Sequence, residues 1–389
     1  MTVSDATGTP VDMPAVSLDV SAVPEHPGGA GHYTIALARG LARSGGANLT
    51  LIARRGDGSR WAQMVPEARL VATVPSARLA RLGFEQARMP STLRALDLDV
   101  HHGPHYTMPA RSPVPCVVTI HDCTFFDHPE WHQRSKALFF RRAIRRAAAD
   151  ASALICVSQV TADRLSASCA VRAPVVVAPH GVDHVRFTPT ESSAGSDAAL
   201  LAAAGVPDDR PVIGFVGTLE PRKGVVPLVA AFERVAETDP DVVLVLAGQP
   251  GWGLHETERA LAETRHADRI IVTGYVSDAT VPALLRRADV MACPALEEGF
   301  GVPALEALAC GAPLVTTEGT AMAEVAGGSA LLVTPGDADS LADALAAALQ
   351  EGRDTARTAG GVQVAARYTW EASVTRHLQA YAMARAASL

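Results

Sequence analysis

The feature that most constrains this chain is an alternation, sustained over almost its whole length, of short apolar runs with helix-length stretches. The runs fall at 16–20, 49–53, 117–120, 153–157, 175–178, 212–216, 242–247, 270–273, 290–293 and 313–316. They are rich in β-branched residues and apolar on both faces, without the polar alternation of a half-solvated strand. Such runs suit parallel strands covered by helices on both sides. Their regular alternation with helical segments predicts an α/β class with doubly wound sheets.

At 389 residues the chain exceeds one ordinary core, so two domains are expected. The composition shifts at 188–204, a Ser-, Thr- and Ala-rich stretch with only acidic charges, whose start reads as a linker and whose end reads as a short helix leading to Gly205. The expected organisation is a tail over 1–13, disordered; a first domain over 14–187; a linker over 188–204; and a second domain over 205–369.

Charge and cysteine content exclude several roles. A net charge of −7 argues against a nucleic-acid partner, although a few local cations suffice for one small anion. The six cysteines form no CxxC pair and no His cluster has zinc-ligand spacing, so no metal site is expected. Cysteines in apolar runs, such as Cys156, behave as small core residues and point to a reducing, cytoplasmic setting. The first thirteen residues lack the apolar segment of a signal peptide, and no run approaches the roughly 20 apolar residues of a spanning helix.

Four segments carry chemistry. In the first, Glu298 and Glu306 bracket Gly299, Phe300, Gly301, Val302 and Pro303. Pro303 suits a helix's first turn, and the glycines before it leave amides that favour an anion such as a diphosphate. Glu306 is expected on that first turn, able to accept from a ribose diol, with Glu298 reaching sugar hydroxyls at the other end of the ligand. A turn followed by a carboxylate that favours the helix dipole reads the same residues more plainly. The second segment, 217–224, follows an apolar run and precedes a helix over 225–238. Its adjacent Arg222 and Lys223 suit a pyrophosphate at a strand's carboxyl end, or are simply surface cations.

The third segment, Gly28, Gly29, Ala30, Gly31, His32 and Tyr33, follows the first strand and opens a helix to about Arg43. It is not a dinucleotide fingerprint: Thr34 stands at the third glycine position, and Arg54 and Arg55 follow the second strand in place of an acid. The fourth is the pair His121 and Asp122 at the end of a buried strand, where His121 either meets a sugar or is a satisfied strand-end histidine. His180 and Asp183 end another strand in the same manner.

Taken together and in order, these segments resemble the GT-B glycosyltransferases of the large retaining family 4, over nearly the whole chain. The resemblance rests on GGAGHY at 28–33, IHD at 120–122, VS at 157–158, PHGVD at 179–183, GTLEPRKG at 217–224, GYV at 274–276, EGFGVPALEALACGAPLV at 298–315 and TWE at 369–371. It implies two Rossmann-like domains facing a cleft, with the closing helix over 370–389 packed back on the first domain. It also implies a donor nucleotide on the second domain and an acceptor on the first. Carried over, Arg222 and Lys223 neutralise the leaving diphosphate, Glu306 holds the ribose and Glu298 the transferred sugar. Gly217, Thr218, Gly299 and Val302 belong to the donor site, and the amides of Phe300 and Gly301 lie against the donor sugar and phosphate. Gly274, Tyr275 and Val276 line the base, Gly29 and Ala30 approach the donor, and His121 contacts the sugar. This chain departs from many relatives at Thr218 and His32, where Arg is common, and at His180, where Asn is common.

The resemblance implies retention of anomeric configuration, without a metal or other cofactor, from a nucleotide-diphosphate sugar to a hydroxyl of a glycan, lipid-linked sugar or small molecule. The EPRKG variant, with PEW at 129–131 after IHD, is similar to bacterial mannosyltransferases of polysaccharide synthesis and favours GDP-mannose over UDP-sugars. The stretch from Trp131 to Ala149 holds six cations and no acid, with Phe139, Phe140 and Ile144 as apolar surface. It reads as a peripheral contact to the inner face of a membrane or as a helix with one solvated basic face. A nucleotide-sugar epimerase of the same fold and a non-catalytic sugar-nucleotide-binding protein are the alternatives. A phosphorylase needs a lysine for pyridoxal phosphate, and Lys136 and Lys223 are the only two in the chain.

Overall fold

The computed structural model describes residues 13–191 and 196–387. The expected disordered tail, apart from Met13, and residues 192–195 of the expected linker lie outside the described residues. The chain forms two compact units: residues 1–181 with 370–389, and residues 182–369.

The first unit holds a seven-stranded sheet. Its strands are β1 (Ala15–Asp19), β2 (Asn48–Arg54), β3 (Arg69–Val74), β4 (Val100–Gly103), β5 (Cys116–Ile120), β6 (Ala153–Cys156) and β7 (Val175–Val177), in the order β3-β2-β1-β4-β5-β6-β7. The second holds β8 (Val212–Val216), β9 (Val243–Ala247), β10 (Ile270–Gly274), β11 (Val290–Cys293), β12 (Leu314–Thr317) and β13 (Leu331–Val333), in the order β10-β9-β8-β11-β12-β13. Every neighbouring pair in both sheets is parallel.

The ten apolar runs all become strands, most of them covered on both faces, while the edge strand β10 leaves Val272 exposed. Val117, Val118 and Ile120 are fully buried, as are Leu244, Val245 and Leu246. Each such side chain contributes about 1.5–3 kcal/mol through removal from water. Three strands escaped that pattern. β3 is an edge strand with exposed Arg69, β13 has only three residues, and β4 reads Val-His-His-Gly. The two histidines of β4 are buried because partners inside the fold satisfy them: His101 Nδ1 lies 2.9 Å from Ser17 Oγ, and His102 bonds on both ring nitrogens.

The helix Trp370–Ala386 belongs to the first unit, and a buried polar chain ties it there. The His377 Nδ1–H donates to the Ser373 carbonyl at 2.7 Å, so its Nε2 must accept, and Tyr33 supplies the proton at 2.7 Å. The Tyr33 oxygen then accepts from Thr119 at 2.9 Å, and Thr119 accepts from His102 Nε2–H at 2.8 Å. His102 Nδ1 finally accepts from Tyr381 at 2.9 Å. Burial holds both histidines below their ordinary pKa, His377 at about 4, so the neutral tautomers that this direction requires are the populated ones.

The change of unit falls at Gly181 and Val182, not near residue 190; among the described residues of 188–204, the end forms the short helix expected there and is anchored rather than free. The Val182 N–H donates to the Tyr368 carbonyl at 3.0 Å, and Phe187 is buried. The helix Ser196–Ala203 is clamped by Arg286, which binds both Asp197 oxygens at 2.6 and 2.8 Å and the Thr188 carbonyl at 3.2 Å. Small polar residues thus conceal a segment held by one bidentate ion pair.

Candidate functional site

In a doubly wound sheet, ligands meet the carboxyl ends of the strands where the order reverses. In the second unit that reversal lies between β8 and β11. Both charged motifs leave the sheet there, 217–224 from β8 and 294–301 from β11. The two loops are pinned together, with the Leu296 N–H donating to the Arg222 carbonyl at 2.8 Å. Gly224 makes this approach possible. Its φ is +72°, and a Cβ there would stand 2.0 Å from the Pro294 oxygen.

The side chains converge on Glu298. Arg222 Nη1 lies 3.0 Å from Glu298 Oε2 and Lys223 Nζ binds Oε1, while Arg222 Nε also meets Glu220 at 2.6 Å. Burial pushes the Glu298 carboxyl up, but Lys223 and Arg222 outweigh it and hold it down at about 2. The two cations and two carboxylates balance, so the cluster is neutral as a group.

Gly301 turns the chain into the helix Val302–Ala309 at φ +94°, with Pro303 in its first turn. Among the described residues the amides of Gly301 and Val302 have no backbone partner. Glu306 opens the second turn of this helix, not the first as expected, because the helix starts at Val302 rather than at the glycines. Its carboxyl is pushed up to about 8, by burial first, with Arg186 opposing and Asp278 adding to the rise. Two carboxylates eight residues apart therefore stand in opposite states at neutral pH.

Gly217, Gly248 and Gly274 close the neighbouring edge. A Cβ on Gly248 would lie 1.8 Å from the Gly217 oxygen, and the Gly248 N–H donates to Gly274 at 2.9 Å. Thr218 is exposed beside them, Tyr275 is 70% exposed and Val276 is half-buried; Gly299 and Phe300 are buried.

The remaining expected site residues belong to the first unit. Gly29 and Ala30 form the first turn of the helix Gly29–Ser44, with His32 exposed and Tyr33 buried. His121 sits just past β5 and is nearly buried; its Nε2–H is spent on the Pro104 carbonyl at 2.7 Å, leaving Nδ1 as an acceptor. Burial lowers its pKa. His180 stacks on Tyr33 at 4.9 Å and on Trp370 at 6.0 Å, a role that an isolated strand-end histidine did not signal.

The basic stretch is corrected in part. Within the helix Arg134–Asp150, Ile144 is fully buried and Phe140 half-buried, so Leu138 and Phe139 are what it exposes. Arg141 turns inward to the carbonyls of Phe125 and Phe126. No helix among the described residues is long and apolar enough to cross a membrane.

The family models decide the assignment. Residues 27–186 match "Glycosyltransferase Family 4" and residues 198–360 match "Glycosyl transferases group 1". The chain belongs to the group 1, family 4 glycosyltransferases. It is 29% identical to O-antigen chain mannosyltransferase B of Escherichia coli, over 72% of this chain and 74% of that protein. It is 34% identical to D-inositol 3-phosphate glycosyltransferase of Actinosynnema mirum over 61% of this chain, and spans only 58% of that relative's length. The Anabaena HepE protein, solved in complex with UDP-glucose, aligns with 97% of this glycosyltransferase and all of its own chain at a TM-score of 0.72 and 21% identity. The fold is GT-B, with two parallel-sheet α/β domains of seven and six strands.

Proposed function

We propose that this glycosyltransferase moves a hexose, with retention and without a metal, from a nucleotide-diphosphate sugar to a hydroxyl acceptor. The observation that carries the reading is the convergence of Arg222 and Lys223 on Glu298 at the β8–β11 reversal. An arriving diphosphate competes for both cations. Glu298, released from them, accepts hydrogen bonds from the transferred sugar, while Glu306 meets the ribose diol. The Gly301 and Val302 amides and the helix behind them add positive potential at the phosphate.

The bond from the anomeric carbon to the diphosphate oxygen breaks, and a bond to the acceptor oxygen forms on the same face. The acceptor's proton passes to the departing diphosphate. Arg222 and Lys223 stabilise the charge that develops there, the interaction that usually contributes most to such catalysis. On the first unit, His121 keeps Nδ1 as an acceptor suited to a sugar hydroxyl. Mannose and GDP are favoured because a mannosyltransferase stands among the similar proteins, while UDP-glucose occupies a protein of the same fold.

A thermal-shift panel of GDP-, UDP- and dTDP-sugars, followed by acceptor-dependent nucleotide release in EDTA, tests this reading. Stabilisation by one nucleotide family and release that survives EDTA are expected. Sugar interconversion without nucleotide release replaces the transferase by an epimerase, and binding without turnover replaces it by a sensor.

A further inference from the structure

His121 and Asp122 follow β5 as a pair, and the proposed transfer uses only the histidine. Asp122 is engaged inside the first unit. Its Oδ2 accepts from the Tyr106 hydroxyl at 2.9 Å, and its Oδ1 accepts from the Thr124 N–H at 3.0 Å and the Thr124 hydroxyl at 2.6 Å. Tyr106 stands in the loop that leaves β4, and its φ is +63°. A residue with a Cβ enters that left-handed region only at a cost. Such conformations persist where the surroundings over-determine them, and they cluster at functional sites.

We propose that Tyr106 is a positioning residue for the transfer reaction: anchored on Asp122, it sets the loop whose Pro104 carbonyl takes the Nε2 proton of His121, and so keeps Nδ1 of that ring as the acceptor for a sugar hydroxyl. The proposal rests on the glycosyl-transfer reading, and it gives the aspartate of the pair its function.

Three observations support it. First, the loop is held on both sides of Pro104. The Tyr106 N–H donates to the Thr119 carbonyl at 3.1 Å, and the Tyr106 ring packs edge-on against Phe125 and Phe140 at 5.7 and 5.4 Å. On the other side the chain doubles back so closely that a Cβ on Gly103 would stand 2.1 Å from the Thr107 oxygen. Second, the hydrogen bonds have one direction. Burial pushes the Tyr106 hydroxyl well above its ordinary pKa, so it stays protonated and donates to Asp122. The Pro104 carbonyl can only accept, so His121 carries its proton on Nε2. A shift of that carbonyl by about 1 Å would break the bond. The other neutral tautomer, protonated on Nδ1, would then offer the sugar a donor in place of an acceptor. Third, Tyr106 also meets the His121 ring directly, edge-on at 5.6 Å, while Tyr33 meets it edge-on at 4.9 Å. Tyr106 therefore acts on His121 twice, through its own ring and through the loop that it anchors.

Tyr106→Phe keeps the ring and removes the anchor. In the full chain, with GDP-mannose or UDP-glucose as donor and water as acceptor, the kcat for nucleotide release is expected to fall by about 10- to 100-fold, the loss that a hydrogen bond to a charged group produces. GDP and UDP binding should be unchanged. Asp122→Ala should match this loss, and Asp122→Asn, whose amide can donate to the Tyr106 oxygen, should restore most of the rate; this second pair carries the test if Tyr106→Phe does not fold. In a His121→Ala background Tyr106→Phe should cost nothing further, because it acts through that ring. Long-range proton–nitrogen NMR of the histidine rings reads the tautomer itself. The His121 signals, identified by their loss in His121→Ala, should show the proton on Nε2 in the wild type and shared between the two nitrogens in Tyr106→Phe. A wild-type ring protonated on Nδ1, a tautomer indifferent to both Tyr106→Phe and Asp122→Ala, or an equal loss of rate with and without His121 overturns the proposal. Absence of nucleotide release from either donor, with a tautomer that still depends on Tyr106, removes the transfer reading and leaves Tyr106 as the residue that positions His121.

Discussion

The two units place polar groups at the carboxyl ends of similar sheets, yet handle them in opposite ways. The second unit gathers ionised groups, Arg222, Lys223, Glu220 and Glu298, in loops that water reaches. The first buries neutral ones, Tyr33, Thr119, His102, His377 and Tyr381, in a chain whose protons all run one way. The charged cluster can exchange partners when an anion arrives, because its cations have somewhere else to go. The neutral chain cannot, because every donor and acceptor already has its one partner and each loss leaves a buried polar atom unmatched. One region is arranged for chemistry, the other for holding the Trp370–Ala386 helix against the sheet.

The contrast breaks first, and most widely, at Lys223. Lys223→Ala should reduce transfer by about 10²- to 10³-fold, the cost of removing one group that stabilises developing charge. The fold should be kept, because Glu298 keeps Arg222, although one cation then faces two carboxylates and some stability is lost. Steady-state nucleotide release checks this, and unchanged turnover removes Lys223 from the mechanism. Gly224→Ala should cost about 2–4 kcal/mol of stability, since it adds a left-handed conformation without glycine to a contact with the Pro294 oxygen. If its urea midpoint matches the wild type, the pinning of the two loops has been misjudged.

In the first unit, Tyr33→Phe deprives His377 Nε2 of its donor and should cost about 1–3 kcal/mol. Trp370, whose ring lies 6.3 Å from that of Tyr33, reports the loss in fluorescence-monitored unfolding. Nucleotide binding should be untouched, and a matching loss there would mean that the two regions are not independent.

In pH dependence the two glutamates should give opposite signs. Glu298 titrates at about 2 in the folded protein against 4.5 ordinarily, so its stabilisation is present above pH 4.5 and is lost as pH falls toward 2. Glu306 titrates at about 8, so stability is whole below pH 4.5 and declines as pH rises through 8. Urea unfolding across that range should show Glu306→Gln removing the alkaline decline and Glu298→Gln removing the acid one. Parallel profiles for the two variants would contradict the assignment.

The charged half of the comparison was legible in the sequence and the neutral half was not. Arg222, Lys223 and Glu298 lie in glycine- and proline-marked loops after apolar runs, where local pattern and ligand chemistry point the same way. Tyr33, Thr119, His102, His377 and Tyr381 are scattered over 349 positions of chain, and nothing in the spacing of a tyrosine and a histidine 344 residues apart indicates that they touch. β4 was missed for the same reason: its histidines look like solvent-facing residues until their partners are in place.

Sequence by itself determined the class of fold, the positions of ten strands and the loops bearing the charged motifs, because parallel strands and their glycine turns are local in chain. Tertiary structure decided the rest. It set where the units divide, which turn of its helix Glu306 occupies and why Glu298 and Glu306 ionise in opposite directions. It also set the left-handed Tyr106 against Asp122. Each of these depends on burial or on charges brought together from distant parts of the chain, and the free energies of burial and of ion pairing exist only once the chain has closed around them.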